Sequence, residues 1–210
     1  MRSYGDPCGI ARSLDILGER WALLIVRELL LGPKRFTDLR AGLPNVSADV
    51  LSQRLRELAA AGVVRQRRLP PPAASQVYEL TERGHELEPI LLALGRWGAG
   101  TPRPPDGELG PDALILALKT LFDPRLAGDL DATYELRLAE HEFTVRVAGG
   151  ALETRRGAPP SADASIDTDA PTFAAVLWHG RAFADLAVAG DRAAVRRLLE
   201  LFPQTPGRPT

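Results

Sequence analysis

The feature that most constrains this chain is a segment rich in glycine and proline at residues 98–111. It reads GAGTPRPPDGELGP. Proline lacks the backbone N–H and glycine costs conformational entropy, so such a segment neither holds a helix nor pairs as a central strand. We therefore predict two domains on either side of a linker. The predicted boundaries are 1–98 for the first domain, 99–111 for the linker, 112–203 for the second domain and 204–210 for a tail.

The composition of the 210 residues excludes several classes of protein. Hydrophobic residues make up 45% and charged residues 25%, which is ordinary for a globular chain and argues against wholesale disorder. No apolar run approaches the ~20 residues that span a bilayer, and the N-terminus lacks the apolar core of a signal peptide. Cys8 is the single cysteine, which excludes an intrachain disulfide and a zinc ribbon. We therefore expect a cytoplasmic protein without membrane association.

The first domain has the hydrophobic pattern of four short helices. Apolar residues recur at helical spacing in each, and glycine or proline follows the last three. Only Arg27 and Glu28 are polar in the second stretch, so that helix should be central and buried. Ser47 is placed to cap the fourth helix, with Asp49 in its first turn. The predicted helices cover 10–17, 21–31, 36–43 and 47–61.

A change of pattern follows the fourth helix. Two short runs at 63–69 and 76–80 have the character of strands, and the proline-rich stretch between them favours an exposed hairpin. Thr81 can cap a last helix, in which Pro89 should introduce a kink or delay the start. Three helices, a capped fourth helix and a basic hairpin together predict a winged helix-turn-helix.

This architecture predicts a surface for double-stranded DNA. Residues 34–68 carry eight basic and three acidic residues, a local net charge of +5 in a chain whose net charge is −1. Such a cluster is either a surface that faces a polyanion or a set of solvated arginines. The outward face of the fourth helix can reach base edges in a major groove. Asp49 there either accepts from a cytosine amino group or only caps the helix. The predicted base contacts are Ser47, Asp49, Ser52, Gln53 and Arg56, and the predicted phosphate contacts are Lys34, Arg35, Arg65, Arg67 and Arg68.

Four stretches in order resemble the HxlR family of bacterial winged-helix transcription regulators. These stretches are residues 8–21, 29–39, 47–58 and 78–84. The resemblance implies a homodimer, built from the N-terminal helix and the helix that ends near Trp97, which binds the two half-sites of an inverted repeat. In some family members a cysteine near the first helix senses oxidants or electrophiles. Cys8 occupies that place, and it is either such a redox sensor or a small, partly buried residue without a redox role.

The second domain has the pattern of a small α+β fold. Apolar residues alternate with polar ones over 134–138 and 143–147, which predicts two half-buried strands. Gly149-Gly150 should turn the chain into a third strand, and residues 164–167 form a further one. Helices should follow Pro171 and Asp191. We expect one antiparallel sheet with helices packed on one face.

The second domain also resembles the sterol-carrier-protein-like fold. The resemblance rests on residues 162–173, Gly180, 188–191 and 198–202. It implies an apolar tunnel for a small hydrophobic ligand, although the same side chains can simply fill the core. By helical spacing, Trp178 lies off the inward face of its helix. It then lines a pocket mouth, contacts the partner subunit or is half-exposed. The candidate tunnel residues are Phe143, Val145, Val147, Phe173, Leu177, Phe183, Leu186 and Leu199.

The sequence lacks the patterns of catalytic chemistry. The histidines are isolated from other metal-ligand types at metal spacing, and no Walker loop, dinucleotide fingerprint or nucleophile elbow is present. We therefore expect no enzyme, no cofactor and no metal site. The function predicted is a sequence-specific DNA-binding transcription regulator, a homodimeric repressor that responds to a small hydrophobic ligand. Two alternatives stay open: a regulator whose second domain only dimerises or binds a protein partner, and a hydrophobic-ligand carrier without DNA function.

Overall fold

The structure, a computed structural model, describes residues 3–70, 75–101 and 107–203. Its contacts divide the chain into two compact units, 1–91 and 92–210. The two-domain division with a linker at 99–111 stays a prediction, and part of that linker, the tail at 204–210 and part of the hairpin loop lie outside the described residues.

The first unit contains the four predicted helices and the predicted hairpin. Helix α2 (Ala22–Leu29) is central, as its apolar pattern predicts, and it buries Ile25, Val26 and Leu29 against the other helices. Unexpectedly, it also buries Glu28. The elements are α1 Gly9–Leu17, α2 Ala22–Leu29, α3 Phe36–Gly42, α4 Ala48–Ala60, β1 Val64–Arg68, β2 Gln76–Leu80, α5 Glu82–His85 and α6 Glu88–Gly98, which continues into the second unit.

Local signals set the ends of these helices. The Ser47 hydroxyl accepts the N–H of Val50 at 3.3 Å and so caps α4. Gly62, with φ of +71°, turns the chain after α4 in a conformation that favours glycine. Pro89 occupies the first turn of α6, where its missing N–H costs nothing, so the predicted last helix is split into α5 and α6.

The hairpin is anchored to the segment before α3 by an isolated β-bridge between Lys34 and Tyr78. The Lys34 N–H donates to the Tyr78 carbonyl at 2.9 Å, and the Tyr78 N–H donates to the Lys34 carbonyl at 2.8 Å. β1 and β2 pair antiparallel, with Arg65 opposite Glu79 and Arg67 opposite Val77. The wing is therefore fixed at its base to the same segment that begins α3.

The second unit is an α+β fold with one five-stranded sheet. The elements are α7 Pro111–Leu121, α8 Pro124–Ala127, β3 Ala132–Leu138, β4 His141–Ala148, β5 Ala151–Arg156, β6 Ala164–Thr168, α9 Ala170–Trp178, β7 Ala187–Gly190 and α10 Arg192–Glu200. The strands lie in the order β5-β4-β3-β6-β7. Short elements that the sequence pattern did not predict are α8, β7 and a 3-10 helix at Phe183–Asp185.

The sheet is mixed, so the prediction of a purely antiparallel sheet was wrong. β6 pairs with β3 in parallel, whereas the other three pairings are antiparallel. The reason is the connection at residues 157–163, which carries the chain from the β5 edge to the far side of β3. Gly157 bonds to the β4 residue Glu142, and Asp163 bonds to the β3 residue Thr133. The alternation of apolar and polar residues within a strand does not show which strand it pairs with or in which direction.

The apolar face of the sheet forms the core of the second unit. Tyr134, Phe143 and Phe173 are fully buried, and the Tyr134 hydroxyl donates to the Ala194 carbonyl of α10 at 2.9 Å. Trp178 is buried too, and its indole N–H donates to the Phe202 carbonyl at 3.2 Å. The half-exposed alternative for Trp178 was wrong, since the segment after α10 contacts the indole. Among the described residues, no helix is long and apolar enough to cross a membrane.

Candidate nucleic-acid interface

The two sides of α4 differ in the way that a recognition helix requires. Leu51, Leu55 and Leu58 are buried on one side. The polar residues of the other side point away from the core, and all of them except Arg56 lie in the N-terminal half of the helix, where side chains can reach base edges. Ser47, Asp49, Gln53 and Arg56 are exposed, and Ser52 is half-buried.

The polar side chains of α4 differ in how firmly they are held. Gln53 donates to Glu57 at 3.1 Å, so its amide is oriented along the helix surface. The Ser47 hydroxyl already accepts the Val50 N–H, which ties it to capping. Arg56 is exposed and makes no ion pair within the described part of the chain. Arg56 is therefore the cation on this face that is most free to reach a partner.

The wing presents arginines around one carboxylate. Arg65 Nε donates to Glu79 at 2.7 Å and Arg67 Nε donates to its other oxygen at 2.8 Å, while 65% and 44% of the two arginine side chains stay exposed. Burial raises the pKa of the Glu79 carboxyl, but the hydrogen bonds and charges of Arg67 and Arg65 outweigh this, so the pKa lies below its ordinary value of 4.5. Arg68 is exposed at the end of β1. The wing keeps a net positive charge, with two of its arginines oriented by Glu79.

Lys34 differs from the other predicted phosphate contacts. Its ammonium lies 2.5 Å from Glu28 Oε2, and 11% of the side chain is exposed. The Glu28 side chain is only 3% exposed and also accepts from Arg27 at 2.8 Å. Lys34 therefore neutralises a buried carboxylate. Arg35, by contrast, is exposed at the start of α3, and its Nε donates to Ser75 of the wing at 3.2 Å.

Sequence reasoning missed the two glutamates that organise these cations. Glu79 lies directly opposite Arg65 in the hairpin. Comparing the residues that face each other across the two predicted strands could therefore have found it. Glu28 carried no such signal, because its partner Lys34 lies beyond a Gly-Pro break and meets it only in the folded unit.

Comparisons with known proteins agree on the first unit. Residues 16–104 match the family model described as HxlR-like helix-turn-helix. The chain is 44% identical over 86 residues to the HTH-type transcriptional regulator YvaP of Bacillus subtilis (strain 168), across 41% of this chain and 80% of YvaP. The chain belongs to the HxlR-like helix-turn-helix family of transcriptional regulators. It is also 34% identical over 85 residues to the HTH-type transcriptional regulator YodB of the same organism, across 40% of this chain and 76% of YodB.

Solved structures also align with this chain. The reduced form of YodB is 32% identical and covers 48% of this chain and 100% of its own, with a TM-score of 0.41. The oxidized form of the redox regulator HypR is 33% identical and covers 46% of this chain and 100% of its own, with a TM-score of 0.42. Each of these two matches covers less than half of this chain.

Two helices of this HxlR-like chain carry exposed apolar side chains. On α1, Ile10 is 74% exposed and Leu14 is 45% exposed. On α6, Ile90, Leu94 and Trp97 are 57%, 46% and 75% exposed and follow helical spacing along one stripe. Exposed stripes of this kind are typical of surfaces that a partner covers.

Cys8 is exposed just before α1, so the partial burial assumed in one of its two alternatives was wrong. Its backbone N–H donates to Asp6 at 2.8 Å. The thiol is therefore accessible, and its chemistry stays a prediction.

The predicted ligand residues of the second unit lie in or beside its core. Phe143, Val145, Val147, Phe173 and Leu186 are buried, and Leu177, Phe183 and Leu199 are half-buried. A cavity of about 500 Å³ in this unit is lined by other residues, on the opposite face of the sheet. Within the described ranges, no group of three or more metal-ligating side chains is found.

Proposed function

We propose that this protein is a cytoplasmic, homodimeric repressor that binds an inverted-repeat operator in double-stranded DNA. The observation that carries the proposal is the exposed polar side of α4 beside an arginine-rich wing, in a chain that belongs to a family of helix-turn-helix regulators. A major groove admits a helix of this kind, and the wing arginines are suited to phosphates or a minor groove.

The proposed base contacts come from α4. Gln53 and Arg56 are the principal ones, because both are exposed and have side chains long enough to reach base edges. Ser52 and Ser47 are shorter, and the Ser47 hydroxyl also caps the helix. The negative charge of Asp49 repels phosphate, so its carboxylate either accepts a hydrogen bond from a cytosine amino group or only stabilises the N-terminal end of the helix dipole.

The proposed phosphate contacts are the exposed arginines. Arg35 and Arg68 are available as they stand, and Arg65 and Arg67 are oriented by Glu79. Lys34 is left out of this set, because moving its ammonium to a phosphate would leave Glu28 buried with one partner fewer. Its role is to hold the segment that anchors the wing.

The homodimer is supported by the apolar residues that α1 and α6 expose. Burial of large apolar side chains such as Ile10 and Trp97 is the usual driving force for association. Two copies related by a two-fold axis would present two α4 helices to the half-sites of an inverted repeat.

The second unit is proposed to bind a small hydrophobic ligand that changes operator affinity. Support comes from its resemblance to the sterol-carrier-like fold over residues 162–173, Gly180, 188–191 and 198–202. A ligand alters DNA binding only if its affinity differs between the DNA-competent and incompetent forms. The alternatives are a second unit that only dimerises or binds a protein partner, and a ligand carrier without DNA function.

Cys8 is proposed as an additional sensor of oxidants. Its support is exposure, which a reactive thiol needs. The test is release of the operator by diamide, compared between the wild type and Cys8→Ser. Equal release from both proteins would remove Cys8 from the mechanism.

The decisive experiment is binding of the full chain to fragmented genomic DNA, with sequencing of the retained fragments at two salt concentrations. We expect one palindromic motif, with less retention at higher salt. The Arg56→Ala variant should lose enrichment of the motif, whereas Arg125→Ala, an exposed arginine of the second unit, should keep it. A folded dimer that enriches no motif would exclude sequence-specific binding and favour the carrier.

A further inference from the structure

The second unit contains a cavity on the polar face of its sheet that is partly open to solvent and has the connection 157–163 as its roof. It measures about 500 Å³, and it lies between strands β3, β4 and β5 below and the connection 157–163 above. The apolar core and the predicted tunnel residues lie on the other face. A cavity of this volume is within the range that small organic molecules occupy.

The roof of this cavity is fixed at both ends. At one end, the Gly157 N–H donates to the Glu142 carbonyl at 2.8 Å, and the Gly157 carbonyl accepts from the Thr144 hydroxyl at 2.8 Å. At the other end, the Asp163 N–H donates to the Thr133 carbonyl at 2.8 Å, and the Asp163 carboxylate accepts the Thr133 N–H at 2.7 Å.

Two prolines stiffen the roof between these anchors. Pro159 and Pro160 both line the cavity, and proline has a restricted backbone. Pro159 is half-buried and Pro160 is exposed, and both rings give the roof apolar surface. The space beneath the arch is therefore part of the folded structure and needs little reorganisation to admit a ligand.

A carboxylate and a guanidinium stand at this cavity with no partner of their own. Glu153 and Arg155 lie two residues apart on β5, and neither side chain has a hydrogen bond or ion pair in the described part of the chain. Two residues of strand span about 7 Å. On β3, Glu135 and Arg137 have the same spacing and do pair, at 2.9 Å. The two β5 groups thus remain open where the cavity lies.

A second guanidinium at the cavity is already bound. Arg146 donates to Thr133 at 3.2 Å and to Asp131 at 3.2 Å. Arg155 is therefore the cation that can pair with an incoming anion, and Glu153 is the acceptor for a donor on the same molecule.

We propose that this cavity binds a small molecule with a carboxylate and a hydroxyl about 7 Å apart on an apolar body. Arg155 pairs with the carboxylate, Glu153 accepts the hydroxyl proton in a hydrogen bond, and Pro159 and Pro160 pack on the body between them. This site differs from the apolar tunnel of the proposed function, and it does not depend on DNA binding.

The probe for this proposal is 4-hydroxybenzoate, titrated into the full-length protein and followed by amide NMR. We expect saturable shifts at the amides of Glu153, Arg155 and Ser161, with a dissociation constant of about 1–10 mM, as suits a ligand of this size. The neutral analogue 4-hydroxybenzamide should bind about ten times more weakly or worse, because it loses the charge-assisted bond to Arg155.

Two variants locate the site. Arg155→Gln should weaken binding of 4-hydroxybenzoate about ten-fold or more, and because Arg155 is exposed the variant should fold normally. Arg137→Gln removes the same charge from the same sheet face outside the cavity and should leave the affinity unchanged. Equal losses in both variants, shifts confined to core amides such as Val145, or no saturable shift up to about 20 mM would each overturn the proposal.

Discussion

Loss of the charge of Lys34 should damage stability and spare DNA binding, whereas loss of the charge of Arg68 should do the reverse. Lys34→Met removes the ammonium from the buried Glu28 carboxylate and leaves its ion pair with Arg27 at 2.8 Å. Breaking a buried ion pair costs about 3–5 kcal/mol, and the lower end applies because Arg27 stays. We expect a loss of about 3 kcal/mol in the free energy of unfolding, by urea denaturation. Arg68→Ala should change it by less than about 0.5 kcal/mol.

The DNA assay is anisotropy of a random-sequence duplex over a series of salt concentrations. If Arg35, Arg65, Arg67 and Arg68 of both protomers each neutralise a phosphate, eight contacts give a log–log slope of about −7. Arg68→Ala removes two contacts from the dimer and should flatten the slope by about 1.8. Lys34→Met should leave the slope unchanged under conditions in which the variant is folded.

The opposite pattern would refute this reasoning. If Lys34→Met flattened the salt slope as much as Arg68→Ala and unfolded at the wild-type urea concentration, Lys34 would have to leave Glu28 and contact phosphate. The buried ion pair would then have little structural importance.

Three further predictions concern other parts of the molecule. Gln53→Ala should weaken binding to a selected operator by about 1–3 kcal/mol and leave binding to random duplex unchanged in the same anisotropy assay; equal losses would place recognition elsewhere. The lowered pKa of Glu79 means that its carboxylate stabilises the fold above about pH 4.5, and this contribution disappears as the carboxylate takes up a proton at lower pH. In Glu79→Gln, the free energy of unfolding should therefore fall less steeply below about pH 4.5 than in the wild type. An unchanged dependence of stability on acid pH would contradict this. Burial raises the pKa of Tyr134 to about 12, so the stability of the fold should fall as the pH rises from about 10 to about 12. In thermal unfolding, Tyr134→Phe should show a smaller alkaline fall and a loss of about 1 kcal/mol at neutral pH, because the hydrogen bond to Ala194 is gone. The same alkaline fall in both proteins would point to another group.

Much of the fold could be predicted from local patterns. The buried helix α2, the Ser47 cap of α4, the split near Pro89 and the turn at Gly149-Gly150 all follow from periodicity, capping and backbone preference. These signals act within a few residues of chain, so one sequence is enough to detect them.

The remaining features depend on contacts between distant parts of the chain. The parallel pairing of β3 with β6, the burial of Trp178 beneath Phe202 and the pairing of Lys34 with Glu28 leave no local pattern. The basic cluster was visible as composition, but which cations are already engaged was not. The predicted phosphate set therefore contained one residue, Lys34, that the structure places on a buried carboxylate.

The mixed sheet has a consequence for the order in which the second unit folds. β3, β4 and β5 are joined by tight turns, so their pairings close short loops. The β3–β6 pairing joins Tyr134 to Ala164 and closes a much longer loop, which costs more chain entropy. We expect the three-stranded meander to form first, with β6 and β7 docking afterwards. In native-state hydrogen exchange, the amides that bridge β6 to β7 should accordingly open at lower free energy than those that bridge β3 to β4.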